Sequence, residues 1–427
     1  MARQFNVPAF YRSPVVARVK AARTAADARK RDVSPSVLDF GAVRVRLARH
    51  FGFCFGVENA IEIAYRAVEE HPEKAAAGRV FLLSEMIHNP HVNADLEARG
   101  VRFLRTTAGE TLVPLDALEP DDVVLIPAFG TTPAIEAALA ARGVDVRAYD
   151  TTCPFVVRVW KKSAQIGGAD HTIVVHGKRT HEETRATVAR AAEHAPVVVV
   201  RDLAEAEHLA AVVEGREDAA FFHAHFGDVA SDGFDPDRDL ARLGVVNQTT
   251  MLATETAAIA ERLRQAVVVR DGEDARFADT SDTLCYATKE NQDATLALVA
   301  SAAPAAAESR AVALVVGGYN SSNTSHLVEL CEDAGLPTYF VRDADALVSP
   351  DEIHHWDWRA KEPRVTRDWL PSGTDAAPIE VLLTAGASCP DALLDAVLQK
   401  VIGWVPGASG VETALEAFEA RAAAVAT

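Results

Sequence analysis

From about Val43 onward the chain repeats one pattern: a short run of almost wholly apolar residues, a polar loop, then a segment whose apolar positions recur every three or four residues. That alternation predicts strands and helices in turn, an α/β chain. The clearest predicted strands are 79–83, 123–127, 172–176, 196–200, 312–316, 338–341 and 379–384. Several are β-branched at nearly every position, as parallel strands buried on both faces require. Helix-period segments follow at 58–70, 133–142, 182–193, 254–267, 293–302 and 391–401. Two stretches break the pattern, 215–240 and 350–378, and read as loops over the surface.

Composition narrows the functional classes. With 427 residues and 49% hydrophobic composition, the chain is long enough for two or three cored domains and is not a disordered protein. Its 43 Lys and Arg against 61 Asp and Glu leave a formal charge of -18, which argues against nucleic acid or an anionic membrane as a general partner. No apolar stretch reaches the roughly 18 to 20 residues of a membrane span. The five cysteines are too scattered for a disulfide scaffold, and no signal-peptide pattern opens the chain, so a reducing cytoplasm is the expected location. Residues 1–32 stand apart, with eight basic side chains against Asp27 and Asp32. They read as a basic extension that stays attached rather than as an Arg-rich transit peptide, because serine is scarce.

Three of the cysteines share one setting, each after a polar turn at the start of a helix-like segment: Phe51-Gly-Phe-Cys54-Phe-Gly-Val, Asp150-Thr-Thr-Cys153-Pro-Phe and Asp282-Thr-Leu-Cys285-Tyr-Ala-Thr. A spacing of 99 and then 132 residues suggests one thiol per α/β unit, converging on a common centre. A helix N-terminus favours the thiolate, the form that binds metal. For any single cysteine, packing is the ordinary reading; three matched contexts argue for ligation. Without local CxxC pairs, the set suits either an iron-sulfur cluster or a catalytic zinc with an open position. Cys331 has helix-face spacing and reads as core, while Cys389 sits in a loop without the matched context.

Four other junctions are crowded with hydroxyl and amide residues: 128–132, 247–250, 317–324 and 384–388. Each can be a set of helix caps. Hydroxyl-dressed helix starts at the carboxyl ends of strands also cradle phosphate, and Asn320, Ser321, Ser322 and Asn323 form the densest group. A phosphate or diphosphate is expected there. Two histidine motifs, Met86-Ile-His88-Asn-Pro-His91 and Val175-His176-Gly-Lys-Arg-Thr-His181-Glu-Glu183-Thr, add cationic and proton-transfer capacity.

Together these blocks, FGFCFGVENAIEIAY, IHNPHVN, PAFG, DTTCPFVVRVW, HGKRTHEET, NQTTM, CYATKENQDA, VVGGYNSSNTSHL and TAGASCPD, resemble the 4-hydroxy-3-methylbut-2-enyl diphosphate reductase (LytB) family, and run in family order over most of the chain. The wording of PAFG, IHNP, HGK and NQTTM is similar to the longer plant and cyanobacterial branch. Where the short bacterial branch has a histidine, this chain has Phe129, so that histidine's role is not carried over.

The resemblance implies a trefoil of three α/β units with small, mostly parallel sheets around a 4Fe-4S cluster held by Cys54, Cys153 and Cys285. The units expected are 43–149, 150–280 and 281–390, preceded by the basic extension 1–42 and followed by a C-terminal helical segment, 391–427, able to pack back on the first unit. The implied reaction is reductive dehydroxylation of 4-hydroxy-3-methylbut-2-enyl diphosphate to isopentenyl and dimethylallyl diphosphate, the last step of the methylerythritol phosphate route to isoprenoids. Glu183 would supply the proton and Thr249 orient the hydroxyl, with His88, His181, Ser321, Ser322, Asn323 and Ser388 at the diphosphate. No dinucleotide or flavin motif is present, so a ferredoxin or flavodoxin is the implied electron donor, docking at Arg158, Lys161 and Lys162 or at the basic extension. Two rivals remain: a zinc-dependent hydrolase of a phosphorylated substrate, and a non-catalytic cluster-bearing sensor of isoprenoid diphosphates.

Overall fold

The structure, a computed structural model, describes residues 5–278, 283–308, 310–372 and 377–426. Asp282 of the third cysteine motif and positions 373–376 of the second predicted loop lie outside the described residues. The chain is mixed α/β, as its periodicity predicts, and its sheets are small and mostly parallel, as the resemblance implies. It divides into two compact units, one comprising the described parts of Met1–Glu58, His88–Pro90 and Ala287–Thr427, the other Asn59–Ile87 and His91–Tyr286.

The first unit is built on a five-stranded sheet, in the spatial order Ser36–Asp39, Val43–Leu47, Ile379–Ala385, Ala311–Val316 and Thr338–Val341. The outer pair is antiparallel and the rest are parallel, with Val381 opposite both Val45 and Val312. Every residue of Ile379–Ala385 and of Ala311–Val316 is buried, which accounts for their largely apolar runs, and the one charge among them, Glu380, is paired with Arg46 at 2.7 Å. Burying one such aliphatic side chain contributes roughly 1.5–3 kcal/mol.

The basic extension folds into this unit. Ser13 caps helix Pro14–Ala26 by accepting from the Val16 N–H at 3.0 Å, and Pro14 stands in the first turn, where its missing N–H costs nothing. Val16 and Val19 enter the core, and Arg18 reaches Glu412 and Glu419 of the C-terminal helix Val411–Ala426. Of the second predicted loop, the described residues include a hairpin, Glu352–Asp357 with Glu362–Arg367. Glu362–Arg367 faces solvent, whereas Glu352–Asp357 buries Ile353 in the core and packs Trp356 against it, and neither strand has the apolar alternation that marks a half-buried strand.

The second unit holds two three-stranded parallel sheets: Val101–Phe103, Val80–Leu82 and Val123–Leu125; and Val197–Val200, Thr172–His176 and Leu243–Asn247. The loop expected over 215–240 instead contains helix Ala219–Phe226, because Phe222, Phe226 and Phe234 pack into the core on the second of these sheets.

Candidate active site

The helix starts place the three matched cysteines alike. Cys54 immediately precedes helix Phe55–Glu70, its N–H donating to the Ala387 carbonyl at 3.1 Å and its carbonyl accepting from the Glu58 N–H. Cys153 is the N-cap of helix Pro154–Gly167, its N–H bonded to the Ala128 carbonyl at 2.9 Å. Cys285 immediately precedes helix Tyr286–Ser301. All three thiols therefore sit at the positive end of a helix, where thiolate is favoured. None of the five cysteines is in a disulfide. Cys331 and Cys389 differ: both are wholly buried, and burial pushes the Cys331 thiol up to about 12 and Cys389 up as well. They are core thiols, while the other three have the setting of ligands. Among the described residues no three His, Cys, Asp or Glu side chains gather around one metal ion. A cluster that takes a single thiolate per iron asks for no such set.

In the first unit, five residues expected at the diphosphate stand on two neighbouring loops and one short segment. Strands Ala311–Val316 and Ile379–Ala385 are adjacent and parallel, so the loops after them emerge side by side. Ser321 caps helix Ser322–Asp333 and its Oγ accepts from the Thr324 N–H and hydroxyl. Asn323 Oδ1 accepts from the Ala387 N–H at 2.9 Å, tying the first loop to the second. Ser388 donates its hydroxyl to the His88 carbonyl at 3.2 Å. Gly318 lies so close to that carbonyl that a Cβ would stand 2.4 Å from it, which is why this position takes glycine. Ser322 and Asn323 are 3% exposed, yet Ser322 Oγ and Asn323 Nδ2 have no hydrogen-bond partner among the described residues. Buried donors left unsatisfied cost free energy unless a ligand meets them. Two orphan donors at a helix start are suited to an anion.

In the second unit, strand Thr172–His176 feeds a loop that ends at His181, the N-cap of helix Glu182–Ala191. His181 Nδ1 accepts from the Glu183 N–H at 3.2 Å. The Phe129 ring meets the His181 ring edge to face, centroids 5.5 Å apart, so the residue that departs from the short branch packs on an expected diphosphate contact. Glu183 is 1% exposed, and both carboxylate oxygens are bonded by Thr249, through the backbone N–H at 2.5 Å and the hydroxyl at 2.9 Å. Burial pushes the Glu183 carboxyl up to about 7 against the opposing pull of these two bonds, so a large share of it holds a proton at neutral pH, where an ordinary glutamate is ionised.

Two residues of this unit were not singled out by the sequence. Gln248 is fully buried and joins the loops, its Oε1 accepting from the Lys178 N–H and the Thr184 hydroxyl and its Nε2 donating to Thr250. Its signal was an amide within a hydroxyl-rich junction. Glu182 lines a cavity of about 90 Å³ together with Ser84, Thr106, Thr131 and Arg185, and burial pushes its carboxyl up to about 7. An acid in a first helical turn is ordinary, so the sequence carried no sign of it.

Among the described residues no helix is long and apolar enough to cross a membrane. The family model described as LytB protein matches residues 45–402. The 4-hydroxy-3-methylbut-2-enyl diphosphate reductase of Gloeobacter violaceus is 41% identical over 367 residues, covering 84% of this chain and 83% of the relative. That of Thermosynechococcus vestitus is 38% identical over 363 residues, with 84% and 85% covered. The chloroplastic enzyme of Botryococcus braunii is 37% identical over 368 residues, with 85% and 70% covered. The solved structure of the Plasmodium falciparum E-1-hydroxy-2-methyl-but-2-enyl-4-diphosphate reductase shares the fold, with a TM-score of 0.59 at 18% identity over 88% of this chain and 98% of that one. With matched cysteine motifs, hydroxyl-lined loops and a family match spanning most of its length, the chain belongs to the LytB protein family.

Proposed function

We propose that this chain is a 4-hydroxy-3-methylbut-2-enyl diphosphate reductase, catalysing the terminal reductive step of the methylerythritol phosphate route to isoprenoids. The substrate takes up two electrons and two protons, its allylic C–O bond breaks, water leaves, and isopentenyl or dimethylallyl diphosphate forms. The observation that carries the reading is Glu183, buried at 1% exposure, held at both oxygens by Thr249 and pushed up toward neutral pH by its burial. Hydroxide is a poor leaving group, and a carboxylic acid that keeps its proton to about pH 7 supplies what its departure needs. Thr249 fixes the carboxyl and presents its hydroxyl to the substrate's. Ser321, Ser322, Asn323, Ser388 and His88 bind the diphosphate, supported by the orphan donors of Ser322 and Asn323, with His181 as a further contact.

Cys54, Cys153 and Cys285 hold a 4Fe-4S cluster in this reading, supported by their shared helix-start setting. When bound, such a cluster supplies single electrons and a Lewis-acidic iron. A ferredoxin or flavodoxin reloads it. The test is anaerobic purification with iron and acid-labile sulfide quantified, then turnover of the hydroxylated diphosphate with a reduced small-molecule donor. Iron and sulfide in equal amounts, with turnover, are expected; zinc without sulfide, and no turnover, would discard the proposal.

A further inference from the structure

The run Phe51-Gly-Phe-Cys54-Phe carries three aromatic rings around one cysteine, and each is met by a residue from the N-terminal segment. Lys20 Nζ lies 4.6 Å above the Phe51 ring, the Tyr11 and Phe53 rings meet edge to face at 5.7 Å, and Phe5 meets Phe55 edge to face at 5.0 Å. Phe5, Tyr11 and Phe51 are all buried. The Lys20 ammonium has three donors and places two on Asp391, at 2.8 and 2.9 Å, and one on the Phe51 carbonyl at 3.2 Å. Gly52 has φ +80°, and a Cβ there would stand 2.4 Å from Asp391 Oδ1 and 3.2 Å from Lys20 Nζ. The ion pair therefore fills the space against the peptide that leads to Cys54.

From the other side, the Cys54 N–H is bonded to the Ala387 carbonyl, and the Ala387 N–H to Asn323. The helix bearing Lys20 is anchored in turn by Ser13 on Asp395 at 2.7 Å and by Arg18 on Glu412 and Glu419. The family match begins at residue 45, so Phe5, Tyr11 and Lys20 all lie outside it.

We propose that the N-terminal segment is a clasp that fixes the placement of Cys54, with Lys20 as its positioning residue. The clasp gives one basic residue of the extension a use inside an acidic chain: Lys20 holds the peptide before Cys54 from one side and the diphosphate loop holds it from the other. Its importance to the cofactor rests on the reading of Cys54 as a cluster ligand, whereas the clasp itself can be measured without any cluster.

Hydrogen exchange of the full-length cluster-free chain, followed by mass spectrometry, tests it. Lys20→Met should speed exchange of the peptide spanning 51–54 by about three- to tenfold, leave the peptide around Cys153 unchanged, and be restored by Lys20→Arg. No change at 51–54, or an equal rise throughout the chain, would overturn the clasp. Should Lys20→Met fail to give soluble protein, Phe5→Leu carries the same measurement with the same expected and overturning results. In the loaded protein, Lys20→Met should release iron to a chelator at least about threefold faster than wild type. Equal release alongside faster exchange would overturn the link to the cluster, while a Cys54→Ser variant that keeps full iron would overturn the ligand reading and leave the clasp standing.

Discussion

Both carboxylate oxygens of Glu183 are bonded by one residue, Thr249, which spends its backbone N–H on the first and its hydroxyl on the second. Hydrogen bonds donated to a carboxylate favour its charged form, so Thr249 opposes the burial that keeps Glu183 protonated. Thr249→Val removes the hydroxyl donor and keeps the backbone one. It should raise the carboxyl by roughly one to two pH units, a hydrogen bond to a charged group being worth about 1.5–3 kcal/mol. The alkaline limb of the rate profile, expected near pH 7 in the wild type, should then move to higher pH, while the lost orienting hydroxyl lowers the plateau. A limb that moves to lower pH would contradict the assignment. Glu183→Gln should lower turnover by about 10²–10⁴-fold with the iron content unchanged.

Glu182 and Glu183 also set a pH dependence of stability. Each carboxyl is raised from an ordinary 4.5 to about 7 on folding, so between those values the folded chain binds more protons than the unfolded one. Stability should therefore fall as pH rises through that window, by at most about 1.4 kcal/mol per pH unit for each group. Glu182→Gln removes one of the two contributions, so the drop in unfolding free energy between pH 5 and pH 7.5 should shrink by roughly half of what the pair supplies. Denaturant melts at the two pH values measure it, and an unchanged drop would show that Glu182 ionises normally.

The orphan donors separate binding from stability. Ser322 Oγ is buried without a partner among the described residues, so Ser322→Ala removes a hydroxyl that costs free energy in the ligand-free chain. The thermal midpoint should stay level or rise, while KM for the diphosphate rises about tenfold. Asn323→Ala also breaks the bond from its Oδ1 to the Ala387 N–H and should both weaken binding and destabilise the chain by about 1–2 kcal/mol. A Ser322→Ala chain with unchanged KM would remove Ser322 from the substrate site.

What the sequence made legible follows from how local each signal is. A strand buried on both faces, such as Ile379–Ala385, is apolar at nearly every position and can be recognised in isolation. The cysteines and the Ser321–Asn323 cluster were legible because helix starts demand particular residue types, and a match repeated at several starts is informative. The helix Ala219–Phe226 was not, since its phenylalanines are explained by a sheet that lies elsewhere in the sequence. Nor was the use of the basic extension, because Arg18 and Lys20 find their acids at Glu412, Glu419 and Asp391, nearly 400 residues away. Glu182 was hidden for another reason: two adjacent acids in a first turn look alike, and only the surroundings show that both are pushed up.

The electron donor can be located by charge reversal. Helix Pro154–Gly167 begins directly after Cys153 and carries Arg158 and Lys161 exposed, with Lys162 half-buried. The chain as a whole carries a formal charge of -18, so an acidic donor is repelled by most of its surface and needs a local basic patch to dock. A patch beside a cysteine proposed as a cluster ligand also shortens the path for the electron. Reversing Lys161 and Lys162 to Glu should slow reduction by an acidic ferredoxin about tenfold at low salt, with the difference shrinking as salt screens the charges. Turnover driven by a small chemical reductant should be unchanged, because nothing in the helix's first turn is altered. Equal loss with both donors would mean that the substitutions disturb Cys153 itself, and the donor would then have to be sought at exposed Arg29, Lys30 and Arg31 of the N-terminal segment.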